Sequence, residues 1–143
     1  CKQIGLNRLA AREKAYSGYD RERRVRIVDT ERLQGAVRKI HHQEKDLIIE
    51  SHYAQDFPSQ VTVVLRCDLK ELKQRMQSRG WGKAKVEENL QAEIFGICLE
   101  DAREQRRWVV EIDTTGRTPK QVALEIAARL WKRNKRAGRK ETT

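Results

Sequence analysis

Short apolar runs rich in β-branched residues alternate with stripes of helical spacing, and this alternation restricts the fold more than any other feature of the chain. Val61-Thr62-Val63-Val64-Leu65 has the near-continuous hydrophobicity of a strand buried on both faces. Leu47-Ile48-Ile49 is a shorter run of the same kind, and Trp108-Val109-Val110-Glu111-Ile112 is the last. Between them the apolar residues recur at helical intervals. Asn7 stands where a cap would open a helix through Leu9, Ala10, Ala11, Arg12 and Ala15. Tyr16 to Asp20 reads as a turn and Val25 to Val28 as a short extended piece. Asp29-Thr30-Glu31 opens a helix carrying Leu33, Val37 and Ile40, and Asp68 caps one carrying Leu69, Leu72 and Met76. Val86, Leu90, Ile94 and Ile97 form the stripe of one long helix, and Pro119 opens a last helix that reaches Leu130. Strands separated by helices predict an α/β architecture with a mostly parallel sheet.

In such a sheet the chemistry gathers at the carboxyl ends of the strands. Glu50-Ser51-His52 follows one strand, Arg66-Cys67-Asp68 the next, and Asp113-Thr114-Thr115-Gly116-Arg117 the last. A carboxylate with an imidazole two residues on can hold Mg²⁺ through water and position a hydroxyl or water nucleophile. Ordinary strand-end polarity is the simpler account of those two residues taken alone. Arg75 and Arg79, four apart, share one face of a helix that ends at Gly80. Permanently charged planar forks beside a short basic loop suit phosphate oxygens. A solvated basic helix end accounts for the same spacing equally well. Trp81 could stack on a base or anchor the following helix, and His41-His42 reads as a surface helix end.

Composition narrows the partners. The net charge is +10 with 36% charged residues, which favours anionic ligands such as nucleotide phosphates or RNA. Residues 132–143 hold six Lys/Arg and one acid, half of that net charge, and read as a basic, disordered tail after a domain spanning 1–131. The cysteines, Cys1, Cys67 and Cys98, show no CxxC spacing, which points to a reducing compartment without disulfides or zinc, here the cytoplasm. No run has the length of a membrane span, so no membrane is expected as a partner.

Taken in order, Leu9-Ala10-Ala11-Arg12-Glu13, Gly18-Tyr19-Asp20, Ile27-Val28-Asp29, Ile48-Ile49-Glu50-Ser51-His52, Arg79-Gly80-Trp81 through Ala92-Glu93-Ile94, and Glu111 to Arg117 resemble one family. It is that of the adenylate kinase-like NTPases of archaea and eukaryotes, the coilin-interacting nuclear ATPase family. The resemblance extends to about Leu130. It implies a three-layer P-loop kinase fold with a lid at about residues 75–90, and both adenylate kinase and ATPase activity. The ATP γ-phosphate would go to AMP or water, with Mg²⁺ as cofactor. It also implies a part in maturation of the small ribosomal subunit, beside a small-subunit ribosomal protein and rRNA. By position Arg12 would grip the monophosphate, and Arg75 and Arg79 would meet ATP phosphates. Glu50, where many members carry Asp, would help hold Mg²⁺, and His52 is linked to ATP hydrolysis. Asp113, Thr114, Thr115, Gly116 and Arg117 would lie along the adenine.

One departure is large. The family's G-x-x-x-x-G-K-[ST] loop, whose amides and lysine cradle phosphates, does not occur in these 143 residues. Gly80-Trp81-Gly82-Lys83-Ala84 has a Gly-Lys pair but neither the first-glycine spacing nor the Ser/Thr. The first strand, the phosphate loop and the first helix, about 25–30 residues in all, are therefore expected to be missing. The chain alone is then expected to be inactive. A second expectation, from another class, is a catalytically dead module that binds RNA or a ribosomal protein through its basic end. A third is a nucleoside monophosphate kinase unconnected with ribosomes, told apart by its acceptor.

Overall fold

The computed structural model describes residues 1–22, 24–44, 46–105 and 108–138, with side chains described as far as Trp131. The chain falls into two compact units, Cys1–Phe57 and Pro58–Thr143.

The first unit contains β1 (Lys2–Gly5), α1 (Leu6–Glu13), β2 (Tyr16–Asp20), β3 (Val25–Val28), α2 (Thr30–Gln43) and β4 (Leu47–Glu50). β1 and β4 pair in parallel, from Lys2 opposite Leu47 to Gly5 opposite Glu50. That connection needs a long crossover, which α1, the β2–β3 ribbon and α2 supply. Leu6, Leu9 and Ala10 of α1 and Leu33 and Val37 of α2 form the core with Ala15 and Phe57. The 3.6-residue spacing is what turns these residues to one side. Asp29 caps α2 by accepting the Arg32 amide at 3.0 Å.

Two expectations fail in this unit. Tyr16 to Asp20 is a strand, because it pairs antiparallel with Val25–Val28 through a bulge between Tyr16 and Gly18. Cross-strand pairing overrides the turn-like composition there. Asn7 is not the cap either. The helix opens two residues earlier, at Leu6 with Gly5 at the cap, and Asn7 Oδ1 instead accepts a 2.8 Å hydrogen bond from the Tyr53 hydroxyl.

The second unit contains β5 (Val61–Arg66), α3 (Leu69–Ser78), α4 (Lys83–Phe95), α5 (Ile97–Glu104), β6 (Trp108–Asp113) and α6 (Pro119–Gly138). β5 and β6 are parallel, from Val61 opposite Trp108 to Arg66 opposite Asp113. Val64 packs with Leu99 and Ala102, and Val110 and Ile112 pack with Val122. The single long helix expected across Val86 to Ile97 is broken at Gly96, whose φ of +62° ends α4 and starts α5. Ile94 and Ile97, which flank the break and belong to the expected stripe, are 59% and 46% exposed. At the carboxyl end, α6 continues past Trp131 to Gly138. Lys and Arg are good helix formers, and cations are favoured at a helix carboxyl end, so the basic composition of this run is compatible with helix.

The architecture is α/β with mostly parallel strand pairs, as a P-loop kinase-like fold requires. Among the described residues β4 pairs with β1 alone and β5 with β6 alone.

Candidate functional site

In the second unit the candidate residues converge on α3 and the loop after β6. Asp68 fixes the start of α3, its Oδ1 accepting the amides of Lys70 at 2.9 Å and Glu71 at 3.2 Å. The far end stops at Gly80, which takes the left-handed conformation at φ +74°. Within these limits Arg75 and Arg79 lie one turn apart on the same groove. An open groove of about 830 Å³ is lined by Lys70, Gln74, both arginines and Gly116. A second cavity of about 310 Å³ takes in the two arginines, Trp81, Asn89 and Thr114.

The arginines differ in what they touch. Arg75 donates from Nη1 to Thr114 Oγ1 at 3.0 Å, and from Nη2 to Thr114 O at 2.8 Å and Glu71 Oε1 at 2.5 Å. Arg75 is thus bound within the protein and ties α3 to the loop after β6. The Arg79 side chain is exposed and has no hydrogen bond or ion pair with the described residues, so its guanidinium stands open to solvent at the groove. Trp81 is covered by Lys85, whose Nζ lies 3.8 Å from the ring centre, and its amide donates to Met76 O at 3.2 Å. It anchors the turn between α3 and α4.

The loop from Asp113 to Arg117 is held by its own bonds. Asp113 Oδ1 accepts the Thr115 amide at 2.9 Å and the Thr115 hydroxyl at 2.6 Å, and these bonds hold the Asp113 carboxyl below the usual aspartate range. Thr114 is buried and donates from Oγ1 to Arg66 O at 2.8 Å. Gly116 adopts φ +65°, and Arg117 Nη1 turns back to Asp113 O at 2.9 Å and to Glu125 of α6 at 2.5 Å. Below the loop, Arg66 braces α4 and β6. Its Nε donates to Glu93 Oε1 at 2.6 Å and Nη1 to Glu111 Oε1 at 3.4 Å. The Glu93 hydrogen bond raises the Arg66 pKa further, so the guanidinium is permanently charged. Desolvation, with the carboxylates of Asp101 and Glu93 beside it, pushes the pKa of the exposed Cys98 thiol up.

In the first unit Glu50 ends β4, and Glu50 Oε2 accepts from Gln3 Nε2 at 3.1 Å. A Cβ at Gly5 would stand 3.2 Å from Glu50 Oε1, so glycine there leaves the carboxylate room. His52 is exposed and meets Tyr53 edge-on, with ring centres 4.9 Å apart. Arg12 is exposed on α1 and pairs with the adjacent Glu13 at 3.0 Å. His41 and His42 are exposed in the last turn of α2. Among the described residues no group of three or more His, Cys, Asp or Glu is arranged to hold a metal. Mg²⁺ takes most of its ligands from water and phosphate, so a single carboxylate with open lone pairs, as at Glu50, fits it. No helix of the described residues is long and apolar enough to cross a membrane.

Glu71 is the residue that the sequence reading passed over. Its signal was present: it precedes Arg75 by four positions, the helical ion-pair spacing, and follows the Asp68 cap by three.

The family model of the AAA domain matches residues 3–96. A protein of Methanocaldococcus jannaschii named "Putative adenylate kinase" is 31% identical over 137 residues, covering 96% of this chain and 76% of the relative. One of the same name from Methanosarcina mazei is 36% identical over 141 residues, covering 87% and 71%. A third, from Pyrococcus furiosus, is 35% identical over 82 residues, 57% of this chain and 46% of the relative.

Proposed function

The chain belongs to the adenylate kinase-like P-loop NTPases, and from that premise we propose that it binds ATP and AMP and takes part in γ-phosphoryl transfer to AMP or to water. The observation that carries this is the groove in which exposed Arg79, pinned Arg75 and the Thr114–Gly116 loop meet. Phosphoryl transfer asks little covalent chemistry of a protein. It asks for positioned cations around the phosphates and a held base. Arg79 would contact phosphate oxygens. Arg75 would add its charge from a fixed place, and Asp113, Thr114, Thr115, Gly116 and Arg117 would lie along the purine. In the first unit Arg12 would meet the monophosphate, and His52 would orient an attacking water. Glu50 would hold Mg²⁺, which when bound neutralises charge on the phosphates.

The phosphate loop that the family uses would act from outside these 143 residues. Parallel sheets are ordinarily covered and many-stranded, and a two-stranded pair is marginal alone. In protein supplied with that loop, AMP is expected to be phosphorylated at least about tenfold faster than CMP or UMP, because a hydrogen-bonding base site rejects the wrong edge. A coupled ADP-formation assay with the three acceptors measures this. Equal rates would remove the adenylate assignment.

A second reading, binding to rRNA or a ribosomal protein during small-subunit maturation in the cytoplasm, is favoured by the basic end of α6. Deleting residues 132–143 is expected to lower affinity for a single-stranded RNA about tenfold at 50 mM salt and to flatten its salt dependence. Unchanged affinity and slope would remove the tail from RNA binding.

A further inference from the structure

Beside its i,i+4 ion pair with Arg75, Glu71 carries a bond that no cap or ion pair on its own helix requires. It stands in the first turn of α3, three residues after the Asp68 cap. In a capping box the acid at that position reaches back to the amide of the cap residue. Here the Asp68 amide donates instead to Thr115 Oγ1 at 2.8 Å, which leaves the Glu71 carboxylate for other partners. Its Oε1 accepts from Arg75 Nη2 at 2.5 Å, and its Oε2 accepts the Gly116 amide at 2.7 Å. One carboxylate therefore holds both a groove arginine and the loop glycine, 45 positions apart in the chain from Glu71.

From this we infer that Glu71 is a positioning residue for nucleotide binding: it sets the spacing between the phosphate-side arginines and the loop that takes the purine. The inference rests on the nucleotide reading of this groove. Its physical content lies in the bonds on either side of Glu71. Arg75 has Thr114 as a second anchor, so without Glu71 it stays attached but loses its counter-charge and the direction of one Nη2 hydrogen. Gly116 has no comparable reserve, since Oε2 of Glu71 is its amide's acceptor. At φ +65° that peptide is in a conformation that an anchoring bond helps to select. Glutamine at 71 can accept at one atom only, so either Arg75 or Gly116 goes unmatched. A ligand spanning both sides should feel this, and a ligand touching only the arginines should not.

The test compares ADP with inorganic pyrophosphate, titrated calorimetrically into the 143-residue chain and into its E71Q and E71D variants. The wild type is expected to bind ADP more tightly than pyrophosphate. E71Q is expected to lose about tenfold toward ADP and less than twofold toward pyrophosphate, since the charge-assisted bond that holds the loop amide of Gly116 is what it removes. E71D keeps a carboxylate and is expected to recover part of the ADP affinity. If both ligands weaken alike, or ADP affinity in E71Q stays within twofold of wild type, Glu71 is only a brace and the inference is overturned. If E71Q does not fold, the same comparison in E71D decides. A wild type that binds ADP no better than pyrophosphate removes the nucleotide reading itself, and the inference with it.

Discussion

Replacing Arg79 with alanine is expected to weaken ADP binding about 30-fold while leaving the thermal midpoint within about 2 °C of wild type. Replacing Arg75 is expected to do something different. The Arg79 side chain has no partner among the described residues, so its loss leaves no buried group unsatisfied and removes one charge from the groove. A permanently charged fork meeting a phosphate supplies about 2 kcal/mol. Arg75 donates three hydrogen bonds, two to Thr114 and one to Glu71, and removing it frees the loop after β6. With its side chain 36% exposed, solvent takes over part of that role, so the expected cost is about 2 kcal/mol rather than the sum of three bonds. The Arg75→Ala midpoint should therefore fall by roughly 5–10 °C, with ADP affinity falling as a consequence of the loosened loop. Differential scanning calorimetry and ADP titration on both variants separate the roles. Equal destabilisation by the two substitutions would contradict the division drawn here.

That division shows what the sequence made legible and what it did not. Three of the four parallel strands follow from Leu47–Ile49, Val61–Leu65 and Trp108–Ile112, because near-continuous apolar runs bounded by polar residues have few other uses. The Asp68 cap and the Gly80 stop were readable because capping depends on residues close in sequence. Arg75 and Arg79 looked alike because helical spacing says which face a residue shares, not what stands opposite. Thr114 lies 39 positions from Arg75. The ribbon at Tyr16–Asp20 was hidden for the same reason, since its strand character comes from Val25–Val28 and not from its own residues. The break at Gly96 is different in kind. Glycine inside a helical stripe is tolerated often enough that the period outweighed it, and the cost shows in the exposure of Ile94 and Ile97.

The proposed activity turns on a phosphate cradle whose G-x-x-x-x-G-K-[ST] motif does not occur in these 143 residues. Backbone amides at a helix start and a lysine neutralise charge where no side chain of α3 substitutes for them. Losing a single preorganised donor costs on the order of 10²–10³ in rate in other enzymes, and the cradle supplies several. The most direct measurement joins a strand, a G-x-x-x-x-G-K-[ST] loop and a helix, about 25–30 residues in all, ahead of Cys1. ADP formation from ATP, AMP and Mg²⁺ is then compared with that of the 143-residue chain alone. The joined protein is expected to turn over at least about 10³-fold faster than the chain alone. Comparable turnover by the two proteins, or none by the joined protein in its folded state, would contradict the assignment of this chain as the nucleotide-holding part of an adenylate kinase-like NTPase.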